Sequence, residues 1–313
     1  MASKFQRQWY LDEGWRCPVE QLARVVGTFQ RLLSNGVVVR TEHGLSPIEA
    51  TAVVAMALLV ISILMPAMRK VKEQRDMTKC LANLGQWNPI ISTYVEDNDG
   101  RFFSGYGNDN SWWVARLEDY HQSRIKNNLW FCPKAAKPLY DEQHNRADSF
   151  SIFQAWGIYT KDFNGHPDLS PDGIAGSYGL NGYLLHNETP TNPTSEDSAQ
   201  DGNSWGTPYN QGADNIPLFV EALRFDVRPQ EHEGPADVEL AAWSGNQMAR
   251  CCINRHVGFE SVSFCDFSAR RVGLKELWTL KWHRRFDTSG PWTKAGGVQT
   301  ANWPRWIRPF KDY

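Results

Sequence analysis

Residues 44–68 read GLSPIEATAVVAMALLVISILMPAM, and this stretch decides the architecture of the chain. No charged residue lies between Glu49 and Arg69, which leaves an uncharged run of 19 residues. A helix needs roughly 20 mostly apolar residues to cross the hydrocarbon core of a bilayer. A buried helix of a soluble core is the alternative, but such a helix usually keeps a polar stripe. The stretch therefore predicts a membrane-spanning helix.

The residues that follow predict an amphipathic continuation of the same helix. Apolar side chains recur at three- and four-residue steps: Met77, Leu81, Leu84, Trp87, Ile91 and Tyr94. Pro89 interrupts the hydrogen-bond ladder and predicts a bend near residues 85–89. The run EDNDG at residues 96–100 ends the helix, because glycine adopts the left-handed conformation easily. We expect one helix from Ser46 to about Val95.

The start of the apolar run carries features of a processing site. Gly44 is followed by an apolar residue, and the carboxylate of Glu49 is costly in lipid unless it is paired or near the surface. These residues resemble the N-terminal signature of type IV prepilins and type II secretion pseudopilins. The resemblance implies that a prepilin peptidase cuts between Gly44 and Leu45 and methylates Leu45. It also implies a helix kink at Pro66, which is residue 22 of the processed chain.

Later motifs extend the resemblance over most of the chain from Gly44 onward. They are CLANLGQ (80–86), YVEDNDGRF (94–102), FCP (131–133), GSYGLN (176–181), NRH (254–256) and FCD (264–266). Typical members carry glycine after His256 and after Asp266, whereas this chain has Val257-Gly258 and Phe267. The resemblance implies an α+β, pilin-like fold. In that fold a long N-terminal helix, half in the membrane and half amphipathic, packs on a mainly antiparallel β globular domain.

Four segments follow from this interpretation. They are a cytoplasmic, cleaved leader (1–44), the transmembrane half of the helix (45–68), its amphipathic half (69–96) and a pilin-like globular domain with long loops (97–313). The leader has no apolar signal core, so it is not an ordinary secretory signal. It is longer than the leaders of the family, and we expect translation to start near residues 37–39. Basic residues crowd both sides of the apolar run and do not orient it. The resemblance implies the bacterial inner membrane, with the globular domain extracytoplasmic.

The region from residue 101 onward is typical of short strands and loops. Apolar runs predict strands at residues 216–220, 238–243, 251–253 and 261–264. Residues 112–117 and 274–282 predict short helices. Residues 186–215 are rich in Asn, Ser, Thr, Pro and Gly and predict a long exposed loop. We expect the aromatic tail, residues 292–313, to pack over the domain.

Two interpretations remain open for one pair of cysteines, Cys80 and Cys132. None of the six belongs to a CxxC pair, which argues against a zinc ribbon or a thioredoxin motif. Cys80 and Cys132 form either a disulfide or two ordinary buried thiols. Cys251 and Cys252 with His256 could suggest a metal, but adjacent residues on a strand point to opposite faces. We therefore expect no metal site.

Calcium is the one cofactor alternative that the sequence leaves open. Asp97, Asn98 and Asp99 resemble half of a calcium loop, but Asn108 stands where such a loop has its bidentate glutamate. We find no nucleophile elbow, Walker loop or zincin motif and expect no enzyme. The net charge of −2 and the absence of a long basic block argue against nucleic acid as a partner.

Two functions remain to be distinguished. The first is a structural subunit of a type II secretion pseudopilus or a type IV pilus-like filament. Its partners are the prepilin peptidase and other pilin-like subunits, and Glu49 pairs with the methylated amine of Leu45 in a neighbouring subunit. The second is a membrane-anchored glycan-binding protein that uses a Trp-rich surface, since the chain has 14 tryptophans. Buried tryptophans favour the first function, and exposed tryptophans on one face favour the second.

Overall fold

The computed structural model describes residues 47–103, 113, 117, 120, 128–138, 151–158, 174–185 and 202–313. The chain divides into two compact units, residues 1–65 and 66–313. Gly44, Leu45, the leader and most of the predicted loop at 186–215 lie outside the described residues.

A single helix, α1 (Pro47–Asp97), occupies 51 residues and confirms the predicted long N-terminal helix. Pro47 begins it, at a position where the missing N–H group costs no hydrogen bond. Pro66 and Pro89 both lie within the helix, and the bends expected at them stay predictions. Past its end the Gly100 N–H donates to Val95 O at 2.9 Å, and Gly100 has a φ of 76°. The expected glycine stop is thereby confirmed.

The first part of α1 has an exposed apolar surface. An 18-residue window of this helix has a mean hydropathy of 2.4, and none of that window is buried. The exposed apolar side chains include Val53, Met56, Leu59, Val60, Ile61, Ile63, Leu64, Met65 and Met68. The Ser62 hydroxyl donates to Leu59 O within the helix. The chain therefore contains one helix that is long and apolar enough to span a membrane.

The second part of α1 supplies the core of residues 66–313 with one apolar face. Its buried apolar residues are Met77, Cys80, Leu84, Trp87, Ile91, Tyr94 and Val95, which confirms the predicted stripe except at Leu81, which is half-buried. The indole of Trp87 packs edge-on against Trp130, with 4.7 Å between ring centroids, and lies 5.7 Å from Phe219. Two buried amides on this face donate to backbone carbonyls, Asn83 to Phe131 O and Asn88 to Phe267 O.

Eight strands form two sheets in the described part of the chain. They are β1 (Lys137–Pro138), β2 (Gln154–Ile158), β3 (Ile174–Gly176), β4 (Tyr178–Asn181), β5 (Pro217–Glu221), β6 (Asp226–Val227), β7 (Phe259–Phe264) and β8 (Ala269–Gly273). One sheet has the order β1-β2-β3, and the other has the order β6-β4-β5-β7-β8. The β1–β2 and β4–β6 pairs are parallel and the others antiparallel, so the fold is α+β with mixed sheets.

Two predicted strands are wrong. Residues 239–244 form a 3-10 helix, Glu239–Ser244, and Cys251 ends a short helix, α2 (Gln247–Cys251), which Cys252 and Ile253 follow. The Asn246 side chain caps α2 by accepting from Ala249 N at 2.7 Å. Local capping and the helix preference of alanine therefore outweigh the apolar composition that suggested strands.

Most of the other elements predicted in the C-terminal half are confirmed. Strands β5 and β7 confirm the strands predicted at 216–220 and 261–264, and Leu274–Thr279 forms a 3-10 helix within the predicted 274–282. Trp303 and Ile307 are buried, which confirms that the tail packs on the domain. The predicted exposed loop is wrong at Trp205, which is buried and donates to Trp282 O.

The GSYGLN motif has a packing explanation. A Cβ at Gly176 would lie 2.7 Å from the Trp156 ring, and one at Gly179 would lie 2.6 Å from Arg224 O. The Asn181 amide donates to two backbone carbonyls, Pro217 O and Trp282 O. The motif therefore fixes close contacts around β4.

Two bulky residues, Val257 and Phe267, have left-handed backbone conformations. Val257 has a φ of 52° and Phe267 a φ of 63°. A β-branched residue is strained there, because its Cβ crowds the backbone. Val257 is exposed, whereas Phe267 packs against the core, so only Val257 has strain without compensating burial.

We expect Val257→Gly to stabilise the protein by about 1 kcal/mol. The substitution removes the backbone strain, and it loses no buried contact because Val257 is exposed. Urea unfolding of the full chain in detergent, followed by tryptophan fluorescence, measures the change. Gly258→Ala is the matched control and should destabilise, since its Cβ would lie 2.5 Å from the Phe310 ring. Lower stability for Val257→Gly would contradict the assigned strain.

A second prediction concerns the buried face of α1. Leu84→Ala should lower the free energy of unfolding by about 2–5 kcal/mol, because it leaves a cavity at a fully buried position. Val71→Ala on the exposed side of the same helix should change it by less than about 0.5 kcal/mol. Equal effects of the two substitutions in the same urea titration would contradict the packing described for α1.

Candidate functional site

The structure reaches only part of the predicted processing and assembly region. Gly44 and Leu45 lie outside the described residues. Glu49 belongs to the first turn of α1, and its side chain lies outside them too. The predicted roles of these three residues therefore stay predictions. What the structure contributes here is the exposed apolar surface of α1.

A second set of functional side chains meets inside the domain. Cys80, Cys132, Glu221 and His256 place their donor atoms within 4.8 Å of one another, and all four are buried. The Nε2 atom of His256 lies 3.4 Å from Cys80 Sγ, 3.3 Å from Cys132 Sγ and 3.0 Å from Glu221 Oε1. We call these four residues the Cys–His–Glu cluster. Among the residues that the structure describes, it is the one group that brings together three or more potential metal ligands.

Four separate parts of the fold position the cluster. Cys80 lies on the buried face of α1, and Cys132 follows the 3-10 helix Asn128–Trp130. Glu221 is the last residue of β5, paired with Tyr178 of β4. His256 precedes β7 in a turn that the Asn254 side chain closes by accepting from Gly258 N at 2.7 Å.

A surrounding layer of polar groups holds the cluster in place. The Asn83 amide donates to Phe131 O and to the Tyr178 hydroxyl, and that hydroxyl hydrogen-bonds the sulfur of Cys80. Asn83 thus connects the backbone next to Cys132 with the partner of Cys80.

Arg255 supplies a fixed positive charge beside the carboxylate. It is fully buried, donates to Ile152 O, Ser177 O and Gln154 O, and its Nη1 lies 3.9 Å from Glu221 Oε2. The arginine of the NRH motif therefore joins three segments and faces the cluster with its charge.

The charges of the cluster depend on one another. Burial alone would raise the pKa of Glu221, but the charge and hydrogen bond of His256 hold it below its usual value. Burial would lower the pKa of His256, and the negative charge of Glu221 outweighs it and raises the pKa to about 10. Burial would raise the pKa of Cys132, but its hydrogen bond with Cys80 brings it to about 7. The cluster thus holds an ionised Glu221–His256 pair beside two cysteines, of which Cys132 is the more acidic.

Cys80 and Cys132, for which a disulfide was one of the two predictions, lie side by side in the structure. Both are free, buried thiols in the structure, and their side chains hydrogen-bond each other. A disulfide between them stays a prediction. Cys251 and Cys252 bond instead to the backbone carbonyls of Met248 and Leu274, and neither belongs to the cluster.

The residues of the predicted partial calcium loop form the C-terminal end of α1 and the turn after it. The Asn98 amide donates to Tyr94 O at 2.7 Å, and Asp99 takes a left-handed conformation with a φ of 54°. These residues therefore have a structural role at the helix terminus.

Sequence reasoning missed Glu221 and the role of His256. Glu221 ends the apolar run IPLFVE, and a carboxylate inside a buried strand was a signal that it needed a partner. His256 was considered only with Cys251 and Cys252, its neighbours in sequence. The cysteines that it contacts are more than 120 residues away along the chain.

The tryptophans bear on the two candidate functions. Those that are buried are Trp87, Trp113, Trp130, Trp156, Trp205, Trp278, Trp282 and Trp303. Trp243, Trp292 and Trp306 are half-buried, and each indole N–H donates to a backbone carbonyl. No tryptophan in the described part of the chain is exposed.

No protein-family model, curated protein or solved structure matches the chain. The function must therefore be argued from the residues and the geometry.

We expect Glu221→Gln to destabilise the protein by about 3 kcal/mol or more, because it leaves the charge of Arg255 buried without a counter-charge. Chemical unfolding of the full chain measures the change. Glu96→Gln is the matched control, since Glu96 is exposed at the end of α1 and should lose less than about 0.5 kcal/mol. A Glu221→Gln protein as stable as the parent would show that the charge of Glu221 is not needed.

Proposed function

We propose that this chain is a non-enzymatic structural subunit of a type II secretion pseudopilus or a type IV pilus-like filament. One observation carries the proposal: a single continuous helix, α1, has two different surfaces. Its first part exposes a broad apolar surface, and its second part is built into the core of residues 66–313. A subunit that stays in a membrane until it joins a helical filament core needs this division.

The exposed apolar surface of α1 requires an apolar partner that covers it. Large contiguous apolar patches are rare on the surface of soluble proteins and indicate a membrane or a protein interface. Lipid covers such a helix before assembly, and the apolar helices of neighbouring subunits cover it afterwards. The proposal places the chain in the bacterial inner membrane, with residues 97–313 on the extracytoplasmic side.

Processing prepares the assembly contact in this proposal. The prepilin peptidase cuts after Gly44, which creates a methylated amine on Leu45. That amine pairs with Glu49 of a neighbouring subunit and offsets the cost of holding a carboxylate at the edge of the bilayer. The pair also sets the register of each subunit against the next, a role for which buried polar groups are known.

The burial of the tryptophans supports this function over the glycan-binding alternative. A sugar-binding surface needs exposed aromatic faces on which the rings of sugars stack. In the described part of the chain the tryptophans pack in the core or lie half-buried with their N–H groups satisfied. They therefore stabilise the domain.

The test is a set of substitutions at the processing and assembly residues. Gly44→Val should block cleavage, because a side chain obstructs close approach of the peptidase to the backbone. Glu49→Leu should insert and be cleaved normally but fail to associate with other subunits, since the partner of the Leu45 amine is lost. Mass spectrometry measures cleavage, and co-purification of two differently tagged copies measures association.

Two controls sharpen the result. Glu49→Asp keeps the charge and should retain partial association, and Val53→Leu changes an exposed apolar residue of the same helix and should behave like the parent. Normal association of Glu49→Leu would remove the mechanism and favour the anchored-binder alternative. Cleavage of Gly44→Val to the mature size would refute the processing assignment.

A further inference from the structure

Cys80, Cys132, Glu221 and His256 come from four distant parts of the sequence, yet their donor atoms surround one small volume. We propose that this Cys–His–Glu cluster is a structural zinc site. The inference goes beyond the proposed function and does not depend on it, because it rests only on residues 66–313.

The hydrogen-bonding capacity of His256 is the first argument. A ring nitrogen carries either one proton or one lone pair. His256 Nε2 nevertheless has three heteroatoms within 3.4 Å: two sulfurs and a carboxylate oxygen. One N–H group cannot serve all three with good geometry. A cation at the centre would be bound by all four donors at once.

The spacing of the donors is the second argument. Zinc in regular tetrahedral coordination sets nitrogen and sulfur about 3.5 Å apart and nitrogen and oxygen about 3.3 Å apart, from its usual bond lengths. The distances from His256 Nε2 to the two sulfurs, 3.4 and 3.3 Å, and to the oxygen, 3.0 Å, lie within a few tenths of an ångström of these values. A small outward movement of the side chains completes the site.

Charge balance is the third argument. Two thiolates and the Glu221 carboxylate bring three negative charges into a buried volume. The two positive charges of zinc and the one of Arg255 balance them, with His256 neutral. Burial raises the pKa of Glu260, the next buried carboxyl group, which favours its neutral form. On binding, the thiol protons and the proton of His256 leave to solvent as the ion arrives.

The type of donor selects the metal and its role. Two sulfurs and an imidazole favour zinc over calcium or magnesium, which prefer oxygen ligands. Four protein ligands leave no position for water or substrate, and this closed arrangement is typical of structural rather than catalytic zinc. The Tyr178 hydroxyl on the Cys80 sulfur is a second-layer contact of the kind that tunes metal ligands.

The site would clamp the amphipathic half of α1 to the sheet. Cys80 is the ligand from α1, Glu221 belongs to β5, and His256 leads into β7. Removal of zinc should therefore loosen the contact of α1 with the sheet before it affects the outer strands. Zinc and a Cys80–Cys132 disulfide exclude each other, because the same two sulfurs serve both.

The test measures metal in the full chain, purified in detergent through a non-metal affinity tag and without chelators. Inductively coupled plasma mass spectrometry should find about one zinc per chain, the stoichiometry of a single closed site. Cys80→Ser and Cys132→Ser should each fall to less than about a tenth of that value, since both thiolates are ligands. Cys265→Ser is the matched control, because Cys265 is equally buried but lies outside the cluster, and it should keep its zinc.

A second measurement does not depend on the folding of variants. The unaltered chain is stripped with a chelator and reloaded with Co²⁺. Tetrahedral cobalt with two thiolate ligands should give a sulfur-to-cobalt charge-transfer band in the near ultraviolet and intense visible bands. Zinc added in equal amount should abolish both.

Each other outcome overturns the proposal. Linked Cys80–Cys132 peptides in non-reducing mass mapping, without metal, would establish the disulfide. Two free thiols without metal, and no cobalt bands, would leave an ordinary buried cluster. Iron in place of zinc would refute the metal assignment, and zinc retained in both cysteine variants would place it elsewhere. None of these results affects the cleavage and association measurements that test the filament subunit.

Discussion

The carboxylate of Glu221 is completely buried, and the arrangement of the domain follows from the need to satisfy it. A lone ionised carboxylate in such a place would cost several kcal/mol. His256 and Arg255 offset this cost from one side, and Ser261 N donates to Glu221 Oε1 from the neighbouring strand. Arg255 in turn donates to three backbone carbonyls in two other segments, Ile152 O and Gln154 O in one and Ser177 O in the other. The ion pairs and the hydrogen bonds of Arg255 therefore connect both sheets and the turn before β7, and the contact of His256 with Cys80 adds α1.

The two surfaces of α1 explain how one helix serves two environments. Pro66 is the first residue of the second unit, and no charged residue precedes it in the helix after Glu49. Most of the polar residues that follow face solvent, and the buried ones include Asp76, which pairs with Arg75, and two amides that bond to backbone carbonyls of the domain. Composition changes within a few residues, and α1, Pro47–Asp97, includes both compositions.

The elements that depend on local periodicity could be predicted from the sequence. The cluster, which depends on contacts between distant residues, could not. The extent of α1, its buried stripe, β5 and β7 follow from apolar spacing that the chain carries within each segment. The strand predicted at 238–243 was wrong, because an apolar composition without strict alternation fits a helical turn as well as a strand. One of the two alternatives for Cys80 and Cys132, the disulfide, would bring them together, but Glu221 and His256 join them only through strand pairings far apart in sequence. No local pattern encodes such a meeting.

The ring cluster around Trp87 gives the chain an optical property of its own. Trp87, Trp113 and Trp130 lie with centroids between 4.7 and 6.5 Å apart, and two of the three pairs are edge-on. Transition dipoles at such distances couple strongly, and the coupling produces near-ultraviolet circular dichroism that vanishes when fixed packing is lost. Trp87 belongs to α1, whereas Trp113 and Trp130 come from later segments. The native spectrum therefore reports, without any added label, whether this helix is seated in the domain.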